Sequence, residues 1–87
     1  YTIHACVLRP ASRGSISLAD ADAATKPVIR PRYLTERADV DTLLAGIRLC
    51  REIGAARAFD AFRGPEIFPG SERRTDEELL ESVRVKA

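Results

Sequence analysis

With 87 residues, this chain is long enough for one small domain and no more. It is 45% hydrophobic and 31% charged, the balance of a globular protein, with 14 basic against 13 acidic residues and a net charge of +1. That near-neutrality argues against a nucleic-acid binder, which carries a basic excess, and no apolar run is long enough to span a bilayer.

Tyr1 to Leu8 alternates and is rich in β-formers, predicting a first strand with Ile3, Ala5 and Val7 opposite Thr2, His4 and Cys6. "RPASRG" interrupts it, because Pro10 cannot donate to a sheet ladder and Gly14 can take a positive φ. "SISL" resumes period two, so a hairpin-like pair joined by the "RPASRG" loop is expected. "ADADAATKP" is a polar connection in which Asp20 and Asp22 can bond their own backbone. "VIRPRYL" is then a short extended edge segment, held extended by Pro27 and Pro31.

From Val40 the period changes. Leu43, Leu44, Ile47 and Cys50 fall on one helical face, with Asp39 and Asp41 near the first turn, where the helix dipole favours carboxylates. "AARAF" could add a further turn after Gly54. "RGPEIFPGSERR" reads as loop, with Ile67 and Phe68 tucked back onto the core. Thr75 and Glu78 form a capping box for a second helix that buries Leu79, Leu80 and Val83. Strands first and helices second predict an α+β fold: an antiparallel sheet followed by two helices packed on one side, a truncated part of a larger domain. The absence of methionine, a strand pattern at Tyr1 and an uncapped helix at Ala87 support the same expectation of a segment cut from a longer protein.

The chemistry is sparse. His4 is the single histidine and has no well-spaced partner for acid–base work, so a surface or structural role is expected. Cys6 and Cys50 lack metal-site spacing and are expected to be buried free thiols in a reducing, cytoplasmic compartment. Arg9, Arg13, Arg30 and Arg32 flank the two proline turns and could gather an anion, or serve as solvated edge charges. "SRG" lacks the repeated glycines of a phosphate loop and precedes no helix. Arg13 is expected to bond backbone carbonyls or a carboxylate within the domain and hold the shape of its loop.

The ordered set of small motifs is distinctive. "LRPASRGSISLADADAATKPVIRPRYLTERADVDTLLAGIRLCREI" resembles the C-terminal, substrate-side domain of the glucose–methanol–choline (GMC) oxidoreductases, within them the choline dehydrogenase-like alcohol dehydrogenases. The matching positions are Pro10, Ser12–Gly14, Leu18, Asp22, Pro27, Ile29, Pro31, Tyr33–Leu34, Asp39, Gly46–Arg48 and Pro69–Gly70. The resemblance covers essentially the whole chain, 1–87, as one fragment of that domain. It implies a parent flavoenzyme in which FAD accepts a hydride from an alcohol carbon, giving an aldehyde or ketone. The family's GxGxxG is absent here, and its catalytic histidine, in a "YHPxGTCxMG" segment, would follow beyond Ala87. His4 occupies no catalytic position of the pattern. No catalytic, cofactor-binding or metal-binding residue is therefore assigned, and the piece alone is expected to bind no FAD and to be inactive. Its expected partners are the flavin-binding domain of the same parent chain and the parent's alcohol substrate, with self-association of the isolated piece through exposed apolar surface. The competing expectation is a free-standing interaction module binding an acidic partner through Arg9, Arg13, Arg30 and Arg32.

Overall fold

The computed structural model describes residues 1–86. In chain order it contains β1 (Ser15–Ser17), β2 (Val28–Arg30), α1 (Arg37–Gly54), a single 3₁₀ turn (Arg57–Phe59) and α2 (Asp76–Lys86). The strands form a two-stranded antiparallel ribbon, with Ile16 directly opposite Ile29 and Ser15 opposite Arg30. This is the expected α+β composition.

The helices form where periodicity and capping agree. In α1 the Val40–Leu44 face meets Leu79 of α2, and these three are the buried apolar residues among those described. Leu34, Ile47 and Leu80 pack around them, half-buried. α1 begins at Arg37, one turn earlier than the apolar pattern suggests, with Glu36 as an N-cap whose side chain makes no capping bond. It ends at Gly54, where the Ala55 N–H closes onto the Arg51 carbonyl and the Ala56 N–H onto Ile53. α2 opens on the predicted capping box. The Glu78 N–H donates to Thr75 Oγ1 at 3.2 Å, and the Thr75 and Arg74 N–H groups donate to Glu78 Oε2 at 3.0 and 2.8 Å.

Tyr1–Leu8 is extended with the predicted alternation, Ile3, Ala5 and Val7 half-buried and Thr2, His4, Cys6 and Leu8 exposed. It is not a paired strand, however, and β1 takes β2 as its partner instead. The reason lies in the residues it faces. The segment runs antiparallel along α1, over a stripe of small residues. A Cβ at Gly46 would lie 2.8 Å from that of Ala5, and one at Gly54 3.7 Å from Ile3 Cδ1. Tyr1 hydroxyl donates to the Gly54 carbonyl at 3.3 Å, and its ring stacks on Phe59 with centroids 4.8 Å apart.

Three other expectations change. Cys6 is exposed rather than buried, because it sits on the outward face of this segment, while Cys50 is half-buried under it; both are free thiols. The helix does not continue through "AARAF", which becomes the separate 3₁₀ turn after a break at Ala55–Ala56. Ile67 and Phe68 do not tuck onto the core and are 95% and 51% exposed. Polar tethers, described below, hold their turn in place of apolar ones.

The molecule is elongated, 58 × 27 × 22 Å. Its radius of gyration is 17.4 Å, where a compact domain of this length would have about 12 Å. The helices pack on each other and the ribbon is not laid face-on against either. A layer left open in this way lacks the second surface that normally buries its apolar side.

Candidate functional site

The recurrent motif around Ser12–Gly14 and Asp39 resolves into one structure. Asp39 occupies the first turn of α1 and is almost fully buried, with 3% of its surface exposed. Its carboxylate accepts three hydrogen bonds from the Pro10–Arg13 loop: the Ala11 N–H at 2.7 Å, the Ser12 N–H at 2.8 Å and the Ser12 hydroxyl at 2.5 Å. The Ser12 oxygen in turn accepts the Thr35 and Glu36 N–H groups, both at 3.1 Å. Ser12 thus holds the two N–H groups that lead into α1, from more than twenty residues away in sequence.

The three donors favour the carboxylate's charged form, with the Ser12 hydroxyl bond the largest cause, and hold the Asp39 pKa below its ordinary value. Burial opposes this and Arg13 assists it. Arg13 itself donates to the Pro10 carbonyl at 2.5 Å and the Ser12 carbonyl at 3.0 Å, as expected for a residue that shapes its own loop. At Gly14 a Cβ would collide with the carbonyl oxygens of Arg30 and Pro31, so only glycine lets the loop meet β2 this closely.

A second hub lies at the other end of α1. The Arg51 guanidinium grips Glu66 with Nε and Nη2 (2.8 Å at the closest pair), and donates to the carbonyls of Arg73 at 2.8 Å and Gly70 at 2.9 Å. Glu66 also accepts the Gly70 N–H at 3.1 Å. This fork fixes the Glu66–Arg73 loop against α1, and Gly70, buried with φ 102°, sits where a side chain would meet Glu72. The Arg48–Asp76 ion pair ties α2 to α1, and Arg73–Glu81 ties the same loop to α2. Sequence reading places Arg48 and Arg51 only on outer helix faces; nothing local announces that their partners lie 15 to 28 residues on.

The remaining candidates stay apart. His4 is exposed on the outer face of the N-terminal segment. Arg9, Arg30 and Arg32 are exposed and join no ion pair among the described residues, while Arg13 is committed to its own loop. Asp20 and Asp22 close Asx-type turns onto the Asp22 and Ala24 N–H groups at 2.8 and 2.9 Å. Among the described residues no three His, Cys, Asp or Glu side chains gather for a metal, and no helix is long and apolar enough to cross a membrane.

A dinucleotide cofactor would need an anion site for its diphosphate, usually a helix N-terminus with free N–H groups. Here the first turn of each helix carries carboxylates, Asp39 on α1 and Asp76, Glu77 and Glu78 on α2, whose charge opposes an anion. Neither helix N-terminus fits such a group.

A protein-family model described as GMC oxidoreductase matches residues 10–87. An alcohol dehydrogenase (acceptor) of Pseudomonas putida is 38% identical over all of this chain, which spans 16% of that protein. The mitochondrial choline dehydrogenase of Mus musculus is 40% identical over all of this chain, which spans 15% of it. Versicolorin B synthase of Aspergillus parasiticus is 34% identical over 95% of this chain and 13% of its own length. The chain therefore spans about a sixth of the length of these relatives or less.

Proposed function

This chain belongs to the GMC oxidoreductase family, and from that premise we propose that it is a scaffold segment of the substrate-side domain of a flavin-dependent alcohol-oxidising enzyme. The parent oxidises the CH–OH group of an alcohol such as choline to an aldehyde or ketone. FAD, when bound, accepts the hydride, and residues outside this chain hold it. The residues described here hold shape: Asp39 latches the Ser12 loop to α1, Arg51 latches the Glu66–Arg73 loop, and Gly46 and Gly54 seat the Tyr1–Val7 segment. The reading also places the parent in the cytoplasm, in keeping with two free thiols.

The observation that carries this proposal is the pairing of similarity, over the whole of this chain, to a segment of two alcohol-oxidising relatives with a core of three buried apolar side chains. That core is too small to stand alone, whereas Ile16, Leu18, Ile29, Tyr33 and Phe62 are each at least 60% exposed. The differing names of the relatives agree with a segment that builds the scaffold and leaves the choice of reaction to other parts of the chain. An anaerobic titration of the purified full-length parent with choline and simple primary alcohols tests the reading. Bleaching of a bound flavin's absorbance supports it; a parent with no flavin, or with flavin that no alcohol reduces, overturns it.

A further inference from the structure

Arg32 (φ 51°) and Leu34 (φ 55°) both hold left-handed backbone, although neither is glycine. Residues with bulky side chains keep such conformations only where the surroundings over-determine them, and they concentrate at sites of function. Here the surroundings do so from three sides. Leu34 packs against the Val40–Leu44–Leu79 cluster, the Thr35 hydroxyl donates to the Arg32 carbonyl at 3.2 Å, and Ser12 Oγ accepts the Thr35 N–H. The residue between them, Tyr33, is left 71% exposed. Its ring borders a shallow hollow of about 320 Å³ with Gly14, Ile16, Ile29, Arg30 and Pro31. Ile16 and Ile29 face each other across the ribbon on the same side and are 73% and 60% exposed.

We propose that the Arg32–Leu34 turn is a rigid mount that presents Tyr33, beside the Ile16–Ile29 hollow, as an aromatic anchor for an apolar surface of the same parent polypeptide outside these 87 residues. The proposal rests on the reading of this chain as one segment of a larger enzyme. Two observations select this occupant. Relatives carry more than five-sixths of their length outside the matched segment, so the same polypeptide supplies the largest nearby surface. A second copy fits poorly, because a two-fold contact through this small hollow brings Arg30 against Arg30 with no carboxylate among the lining residues. An aromatic ring with a polar tip, held rigid beside apolar neighbours, is the side chain that anchors interfaces at little entropic cost.

The test is photocrosslinking in the full-length parent with p-benzoylphenylalanine in place of Tyr33. The expected product is an intramolecular crosslink to a peptide outside residues 1–87. A product of doubled mass, or attachment only within residues 1–87, overturns the proposal. Thr35→Val, which removes the hydroxyl that braces the Arg32 carbonyl without touching the ring, is expected to cut the crosslink yield severalfold; an unchanged yield shows that the braced turn does not present Tyr33. Flavin content, measured on the unsubstituted parent, separates the two readings, since a parent without flavin sinks the proposed function while the crosslink still reports on this surface.

Discussion

The Ser12 hydroxyl donates to Asp39 Oδ2 at 2.5 Å while its oxygen accepts two N–H groups that precede α1. One side chain therefore joins the loop after the N-terminal segment, the strained Tyr33 turn and the first helix. A hydroxyl used as donor once and acceptor twice has no spare capacity, and its carboxylate partner is buried. Removing either member strands the other's partners.

Ser12→Ala and Asp39→Asn should each lower the thermal midpoint of the full-length parent, and the double variant should lose clearly less than the sum of the two. Such non-additivity is the signature of residues in one network. Thermal melts of the four proteins check it, and strict additivity would show that the two residues act independently. Arg13→Ala, which removes two bonds to exposed carbonyls, should cost less, about 0.5–1.5 kcal/mol.

The same bond makes stability depend on acid. Asp39 has its pKa lowered on folding, so its contribution is fully present above the ordinary aspartate value of about 3.9 and is lost as pH falls through the lower folded value. Glu78 follows the same sign, its charged form held chiefly by the Thr75 and Arg74 N–H groups. Amide exchange of Ala11 and Ser12 should therefore stay slow down to about pH 4 and quicken below it, after correction for intrinsic rates. In Asp39→Asn the corrected rates should already be fast at neutral pH and show no such step. A step of equal size in the variant would assign the transition to other groups.

Arg51→Lys should fail to rescue Arg51→Ala. A lysine carries the charge but cannot reach Glu66 and the carbonyls of Gly70 and Arg73 with one planar fork. Both variants should lose about 1.5–3 kcal/mol, with proteolysis opening first in the Glu66–Arg73 loop. Full stability in the lysine variant would reduce the hub to simple charge pairing.

Gly46→Val places a branched side chain where Ala5 Cβ already sits 2.8 Å from an added Cβ. It should cost about 1–3 kcal/mol as overpacking and loosen Tyr1–Val7 from α1. Leu79→Ala, at the fully buried centre of the helix pair, should cost about 2–5 kcal/mol. Denaturant midpoints rank the two, and a neutral Gly46→Val would remove the seating role given to that glycine.

Local chemistry made the helices legible. The Thr75–Glu78 box and the Val40–Leu44 spacing are short-range signals, and both elements formed where those signals lie. The alternation of Tyr1–Leu8 was legible too, but its partner was not, because period two tells which side is inward and not what covers it. The two latches were hidden for a related reason. Asp39 carries the signature of a helix-dipole carboxylate, and its second use, bonding a loop 27 and 28 residues earlier, leaves no local mark. Ser12–Gly14 and Asp39 stand in the same ordered set of motifs, but nothing in that order announces that they touch. Ile67 and Phe68 misled because hydrophobicity within a loop signals a need for cover without naming who provides it.

Hydrogen exchange of the same peptides, in the isolated 87-residue chain and in the full-length parent, tests most directly whether these residues are one layer of a larger domain. In the parent, Tyr1–Leu8, β1 and β2 should be strongly protected, whereas in the isolated chain they should exchange fast while the Val40–Leu44 and Leu79 core retains partial protection. Equal protection of those segments in both would contradict the account and show a domain complete in itself.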